Sequence, residues 1–413
     1  MEDIIIEEHE IETKKRKKGG FWKGFFCATI LFMVITAICF TTGLFLKTRI
    51  IYSNTSGLVT QDSGVQAKLA KIESYIRGLY LDEIDDERLE DYLYYGLVAG
   101  LGDPYAAYYN EEETKSMLDS DSGNYGGIGA VFSQNLMTGV ITVSRLYEGC
   151  PSYEAGILPG DILYAIEGEE VIGLDLTSVV TKIKGEEGTE VTISMLRGEE
   201  LLDFTLKRQM IEVPTVEYEM MDNQVGYIQI TEFDGVTSEQ FSIALKDLQA
   251  KGMTGLVIDL RNNGGGSVKV VCEIADELLP EGMIVYTEYN DGRRVERNSD
   301  AEWVNVPMTV LINGGSASAS EILCGALQDY GVATIVGTQS YGKGIVQSVL
   351  DLQDGTALEL TTAKYYTPNG NNIHGVGITP DVEVDLPEEL KTAAILLPEE
   401  DVQLQKAIEV LQQ

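Results

Sequence analysis

Three regimes of apolar and polar positions follow one another along the chain. Residues 25–46 carry no charged side chain at all. From about residue 66 to 118 apolar residues recur at three- and four-residue steps. Leu69, Ile72, Ile76, Leu79 and Tyr80 form one such row, and Leu89, Tyr92, Leu93 and Leu97 a second. This spacing predicts amphipathic helices. Gly102-Asp103-Pro104 stops the second row, because proline disfavours helix in the residue before it.

From about 124 to 207 the text turns strand-like. Short apolar or alternating runs at 141–143, 162–166 and 191–195 lie between Gly- and Pro-marked turns. One polar helix candidate, 176–184, interrupts them. From 225 onward strands at 225–230, 256–260 and 308–312 alternate with helices at 238–251, 267–279 and 318–330, the last ending near Gly331. That alternation predicts an α/β layer with some parallel strands. Such sheets carry their sites in loops at the strand C-termini. The expected class is α/β (α+β) and multidomain: a tail at 1–24, a transmembrane helix at 25–46, a Ser/Thr/Gly-rich linker at 47–65, a helical segment at 66–118, a small β-rich module at 119–208, an α/β core with a mixed sheet at 209–390, and a C-terminal helical tail at 391–413.

Charge changes the picture at both ends of that plan. The formal net charge is −36, which argues against nucleic-acid binding, since phosphates would be repelled. Against this acidity Lys14-Lys15-Arg16-Lys17-Lys18 stands out as a basic run immediately before the uncharged stretch. Its 22 residues can cross a hydrocarbon core of roughly 30 Å as one helix. Positive charge stays inside, so residues 1–24 are expected in the cytosol and residue 47 onward outside the cell membrane. A cleaved signal peptide is the alternative, but the stretch exceeds the usual h-region and no clear A-x-A site follows. Of five cysteines, Cys27 and Cys39 fall in the expected span. Cys150, Cys272 and Cys324 show no CxxC spacing and read as small core residues.

The chemistry is constrained by a shortage of histidine. His9 lies on the expected cytoplasmic tail, leaving His374, in a Gly-rich turn, as the one imidazole available to an external Ser-His-Asp arrangement. It reads as a surface-loop residue. An HExxH metal site would need two helical histidines. Lysine is the other plausible base for a serine nucleophile, provided burial and positive potential lower its pKa from about 10.4. Lys343, in YGKGIVQ at 341–347, has no acidic residue nearby in sequence. The serine candidates stand in NGGSASASE at 313–321, which follows a buried strand and opens a helix. Such turns present a side chain at the sheet edge and aim backbone N–H groups at it. A Ser-rich helix N-cap explains the same residues, and composition leaves both open. DLRNNGGGS at 259–267 also joins strand to helix. Its glycines suit an oxyanion site, a phosphate cradle or an ordinary turn. GTQSYGKG at 337–344 approaches the P-loop pattern but ends in Gly344, without the hydroxyl that ligates Mg²⁺.

Taken in order, these motifs resemble the carboxyl-terminal processing, or tail-specific, serine proteases, over about residues 100–411. GLGDPY at 100–105 is similar to the segment ahead of that family's PDZ domain, GGIG at 126–129 to its carboxylate-binding loop, and AGILPGDIL at 155–163 to a further PDZ stretch. The DLRNNGGG, GSASASE and YGKG runs, with YTPNG at 366–370 and GITPD at 377–381, complete the pattern. The resemblance implies that the 119–208 module is a PDZ domain and that the enzyme is a serine endopeptidase needing no cofactor and no metal. It implies Ser318 as nucleophile, Lys343 as base, Gln347 as the residue that helps hold the lysine, and Ala319 and Gly265 as oxyanion donors. It further implies that Gly127, Ile128, Gly129 and Val131, with Phe132, bind the free C-terminus of a protein or peptide substrate as an added strand. The PDZ domain can gate such proteases, and the segments 66–97 and 396–411 are candidates for homodimer contacts. The competing class is a PDZ scaffold on an inactive protease fold, against which the intact Ser318, Lys343 and Gln347 weigh.

Overall fold

A computed structural model of the chain describes residues 62–391 and 396–412. The expected span at 25–46, the basic run and most of the linker lie outside the described residues. Among the described residues no helix is long and apolar enough to cross a membrane.

The described residues up to Leu89, from 62 onward, form a unit of their own. Its helix, Ser63–Leu79, starts at Asp62, whose carboxylate accepts the N–H groups of Gly64 and Val65. Among the described residues, none of this helix is buried.

The second unit runs from Glu90 to the C-terminus. Its centre is a six-stranded sheet in the order Val216–Met220, Val225–Ile230, Gly255–Asp259, Met308–Ile312, Ala333–Gly337 and Val382–Glu383. The first pair is antiparallel and the rest parallel, which is the mixed sheet expected. Every residue of Gly255–Asp259 and Met308–Ile312 is buried, because both faces of the sheet are covered. Leu256, Ile258, Val310 and Ile312 join the large core made with the helices Thr237–Ala250, Val268–Leu278 and Ala319–Tyr330. Val257, Leu311 and Val336 point the other way and meet Leu404 and Ala407 of the helix Val402–Leu411. The segment read from sequence as a C-terminal tail therefore covers one face of the central sheet, and its apolar residues are used within the chain.

A second, antiparallel sheet contains Ala107–Tyr109, Ala357–Tyr366, Gly282–Tyr289 and Arg294–Ser299, with Ile345–Asp351 also paired to Ala357–Tyr366. Residues 107–109 thus belong to the sheets of the core, although they lie ahead of the β-rich module and inside the segment expected to be helical. That module, about residues 124–208, is an antiparallel sheet around its own core of Ile141, Val143, Val179, Ile193 and Met195. Its edge strand Ala130–Gln134 pairs on one side with Ile141–Leu146 and faces the helix Leu176–Ile183. Asp161, 2% exposed, anchors the module through a two-pronged pair with Arg197 at 2.7 and 2.6 Å.

Candidate active site

Three successive parallel strands end at one place. Gly255–Asp259 leads into the DLRNNGGG loop, Met308–Ile312 into the NGGSAS turn, and Ala333–Gly337 into the loop that carries Lys343. Side chains lock the first two together. Asn263 is fully buried. Its Nδ2 donates to Ile230 O at 2.8 Å, and its backbone carbonyl accepts Ala317 N–H and the Ser320 hydroxyl, both at 3.0 Å. Ser316, also fully buried, donates its hydroxyl to Leu260 O at 2.8 Å. Asn262 and Asn313 exchange two hydrogen bonds across the same junction, at 2.9 and 3.0 Å.

Ser318 sits where that turn becomes the helix Ala319–Tyr330, with φ 56° and ψ −112°. A side chain held in this left-handed region costs of order 1–3 kcal/mol and persists where surrounding contacts over-determine it. Here the contacts are those of Glu321 and Tyr365. Glu321 is fully buried and accepts four donors. Oε2 takes Ser318 N–H at 2.9 Å and Lys343 N–H at 2.8 Å; Oε1 takes Gly342 N–H at 2.7 Å and the Ser340 hydroxyl at 2.5 Å. Tyr365 places its hydroxyl 2.6 Å from Lys343 O and 3.0 Å from Ser318 O. Burial pushes that hydroxyl well above its ordinary pKa, so it remains a donor. One carboxylate and one phenol therefore clamp the backbones of Ser318 and Lys343 to each other.

Gly265 adopts φ 111°, and a Cβ placed there would lie 2.7 Å from Ser318 Cβ and 3.0 Å from Ala319 N. The two expected oxyanion donors are thus neighbours beside Ser318. The Gly265 N–H already donates to Asn263 Oδ1 at 2.8 Å, so an oxyanion would share or displace that bond. Gln347 lies on the strand Ile345–Asp351, and its Nε2 donates to Thr361 Oγ1 at 3.3 Å. The Lys343 ammonium makes no hydrogen bond or ion pair among the described residues. It rests 4.7 Å from the ring centroid of Tyr105. Tyr105 N–H donates to Asp103 Oδ1 at 2.9 Å. That bond, then the Thr361 hydroxyl, with burial opposing and the nearby Lys343 charge assisting, holds the Asp103 carboxyl below its ordinary range. His374 is exposed, with its backbone against Gly344.

In the β-rich module Gly127 ends the strand Asn124–Gly127, and Ile128 and Gly129 turn from it into the strand Ala130–Gln134, which carries Val131. Ile128 is 1% exposed and belongs to the module's core, so its backbone and not its side chain is what the turn presents. Gly129, at φ 73°, leaves no room for a side chain, since a Cβ would approach Cys150 Cβ to 2.2 Å.

Glu321, Tyr365, Asn263 and Tyr105 escaped the sequence reading as site residues. Glu321 had a signal: the S-x-x-E spacing of Ser318 and Glu321 is that of a helix capping box. Tyr105 closes the GLGDPY motif, which marked the segment but not its meeting with Lys343, and Tyr365 had no signal, because each reaches the site from a distant turn or strand.

Comparison with known proteins adds three findings. The profile for peptidase family S41 matches residues 224–384, and that for a PDZ domain matches residues 142–197. A carboxy-terminal-processing protease of Bartonella bacilliformis is 36% identical over 384 residues, covering 90% of this chain and 88% of the relative. A probable CtpA-like serine protease of Staphylococcus aureus (strain MSSA476) is 35% identical over 390 residues, covering 92% and 76%. Among solved structures, a photosystem II D1 C-terminal processing protease is 28% identical with a TM-score of 0.46, covering 79% of this chain and 88% of its own.

Proposed function

This chain belongs to peptidase family S41 and is a serine peptidase with a PDZ domain, and from that premise we propose that it is an endopeptidase working through a Ser318–Lys343 dyad on polypeptides recognised by their C-termini. The observation that carries this reading is the shared carboxylate. Glu321 Oε2 holds the backbone N–H groups of Ser318 and Lys343 at 2.9 and 2.8 Å, so nucleophile and base stand on adjoining, mutually fixed turns.

In this mechanism neutral Lys343 takes the proton from Ser318 Oγ as that oxygen attacks the scissile carbonyl. Ala319 N–H, at the start of its helix, and Gly265 N–H receive the oxyanion. Lys343 then gives the proton to the leaving amine, and water hydrolyses the acyl-enzyme. The PDZ domain takes the substrate tail as a strand beside Ala130–Gln134, with the 127–129 backbone facing the terminal carboxylate. Residues 25–46 anchor the chain in the cell membrane, residues 1–24 stay cytosolic, and the catalytic domain works on extracytoplasmic proteins. Protease added to intact cells then digests the large domain and spares residues 1–20.

The test of the dyad is hydrolysis of casein or a tail-bearing peptide by the wild type, Ser318→Ala, Lys343→Arg and His374→Ala. The first two variants lose activity, since guanidinium stays protonated at any working pH, while His374→Ala keeps most of it. An active arginine variant with an inactive alanine at 374 would make the enzyme a histidine-based hydrolase.

A further inference from the structure

The segment ahead of the PDZ domain reaches the catalytic lysine. Residues 102–105 turn out of the helix Asp86–Ala99, and Ala107–Tyr109 then pairs with residues 357–359 of Ala357–Tyr366. That pairing carries Tyr105 to Lys343, with the ammonium 4.7 Å from its ring centroid. The separation lies within the roughly 6 Å over which an aromatic face attracts a cation. Tyr105 is held by Asp103 Oδ1, which accepts its N–H at 2.9 Å, and Tyr341 lies beside its hydroxyl. Gln347 donates to Thr361 at 3.3 Å, and both Thr361 and Lys343 lie close enough to Asp103 to lower its carboxyl pKa.

Resting on the dyad reading, we propose that Tyr105 is a positioning residue for Lys343, its ring face being the seat of the ammonium while the base carries the serine's proton. An aromatic face suits that task. It attracts the charged form but offers no acceptor that would take the proton away before the leaving amine needs it. The neutral amine gains little from the ring and is free to turn to Ser318. A catalytic cycle that passes Lys343 through both forms thereby alternates between two positions. Because Tyr105 precedes the PDZ domain while Lys343 follows it by well over a hundred residues, the seat is assembled only in the folded chain.

The titratable groups around this seat are Asp103 and Tyr105 on the turn, Tyr341 beside the lysine, Glu321 with its four donors, and the Tyr365 hydroxyl. Removing the ring disfavours the ammonium, so the acid limb of kcat/KM moves to lower pH. The experiment measures kcat/KM against pH with the full chain and a peptide that ends in an apolar residue with a free carboxylate. Tyr105→Phe keeps the ring and the wild-type midpoint. Tyr105→Leu moves the midpoint down by about half a pH unit and lowers the plateau about tenfold. Tyr105→Trp, whose face holds cations more tightly, moves it up, and covers the case of a leucine variant that does not fold. A midpoint unmoved in both variants, or moved the same way in both, overturns the seat. Lys343→Ala run alongside separates the two claims. Full activity in that variant defeats the dyad itself, whereas an inactive Lys343→Ala with an unmoved Tyr105 profile defeats the seat alone.

Discussion

Glu321 Oε2 accepts the backbone N–H of Lys343 at 2.8 Å while also accepting that of Ser318 at 2.9 Å. Twenty-two residues separate Glu321 from Lys343, and the bond spans the gap between the helix that Ser318 opens and the loop after the next strand. A carboxylate suits the position because it is all acceptor, and four donors converge on it.

Glu321→Gln replaces one of those two acceptor oxygens with an NH₂ that faces donors. Hydrogen bonds to a charged group are worth about 1.5–3 kcal/mol each, so the variant is expected to lose at least about 2 kcal/mol of stability. Its kcat should fall about 10²-fold as Lys343 drifts from Ser318. Thermal unfolding and steady-state kinetics on the same preparation check both.

The backbone at Ser318 gives a prediction that inverts the usual ranking of alanine and glycine. Glycine takes φ 56° without steric cost, whereas alanine retains the clash. Ser318→Gly should therefore be more stable than Ser318→Ala by about 1 kcal/mol and unfold at a higher temperature, although neither is expected to cleave substrate. Equal stabilities would show that the turn is unstrained.

Gly265→Ala should be costly on both counts. The added methyl would lie 2.7 Å from Ser318 Cβ at a φ of 111°. A stability loss of about 2 kcal/mol or more is expected, with kcat down at least about 10²-fold because the loop must move off the proposed oxyanion position. A variant with native melting and native kcat would remove Gly265 from the site.

The PDZ domain carries its own pH signature. Arg197 first, then Leu158 N–H against the cost of burial, holds the Asp161 carboxyl below its ordinary range. A carboxyl with a depressed folded value contributes stability that is fully present above its unfolded pKa of about 3.9 and is lost as pH falls through the folded value. Melting of the wild type should thus fall below about pH 4 more steeply than that of Asp161→Asn. At pH 7 that variant should be less stable by about 2 kcal/mol, since Arg197 loses a charged partner.

The sequence by itself determined the parts and their order. Apolar periodicity located the strands at 225–230 and 308–312 and the helices beside them, because those elements are buried along whole faces and the pattern records which face. The Gly- and Ser-rich turns were legible for a related reason: tight strand-to-helix corners admit few residues. The resemblance of the motifs then named Ser318 and Lys343 as candidates. Tertiary structure decided what holds them. Glu321 looked like half of a local helix cap, yet two of its partners, Gly342 and Lys343, lie more than twenty residues away. Tyr365 sits on a strand, Ala357–Tyr366, whose mixed polar and apolar text gave no strand signal, because most of its residues are only half-buried. Tyr105 stood in what looked like a helical segment and lies against Lys343 only because 107–109 pairs with 357–359. Local periodicity reports burial, a property each residue has alone, whereas a clamp or a seat is a relation between residues that only chain packing brings together.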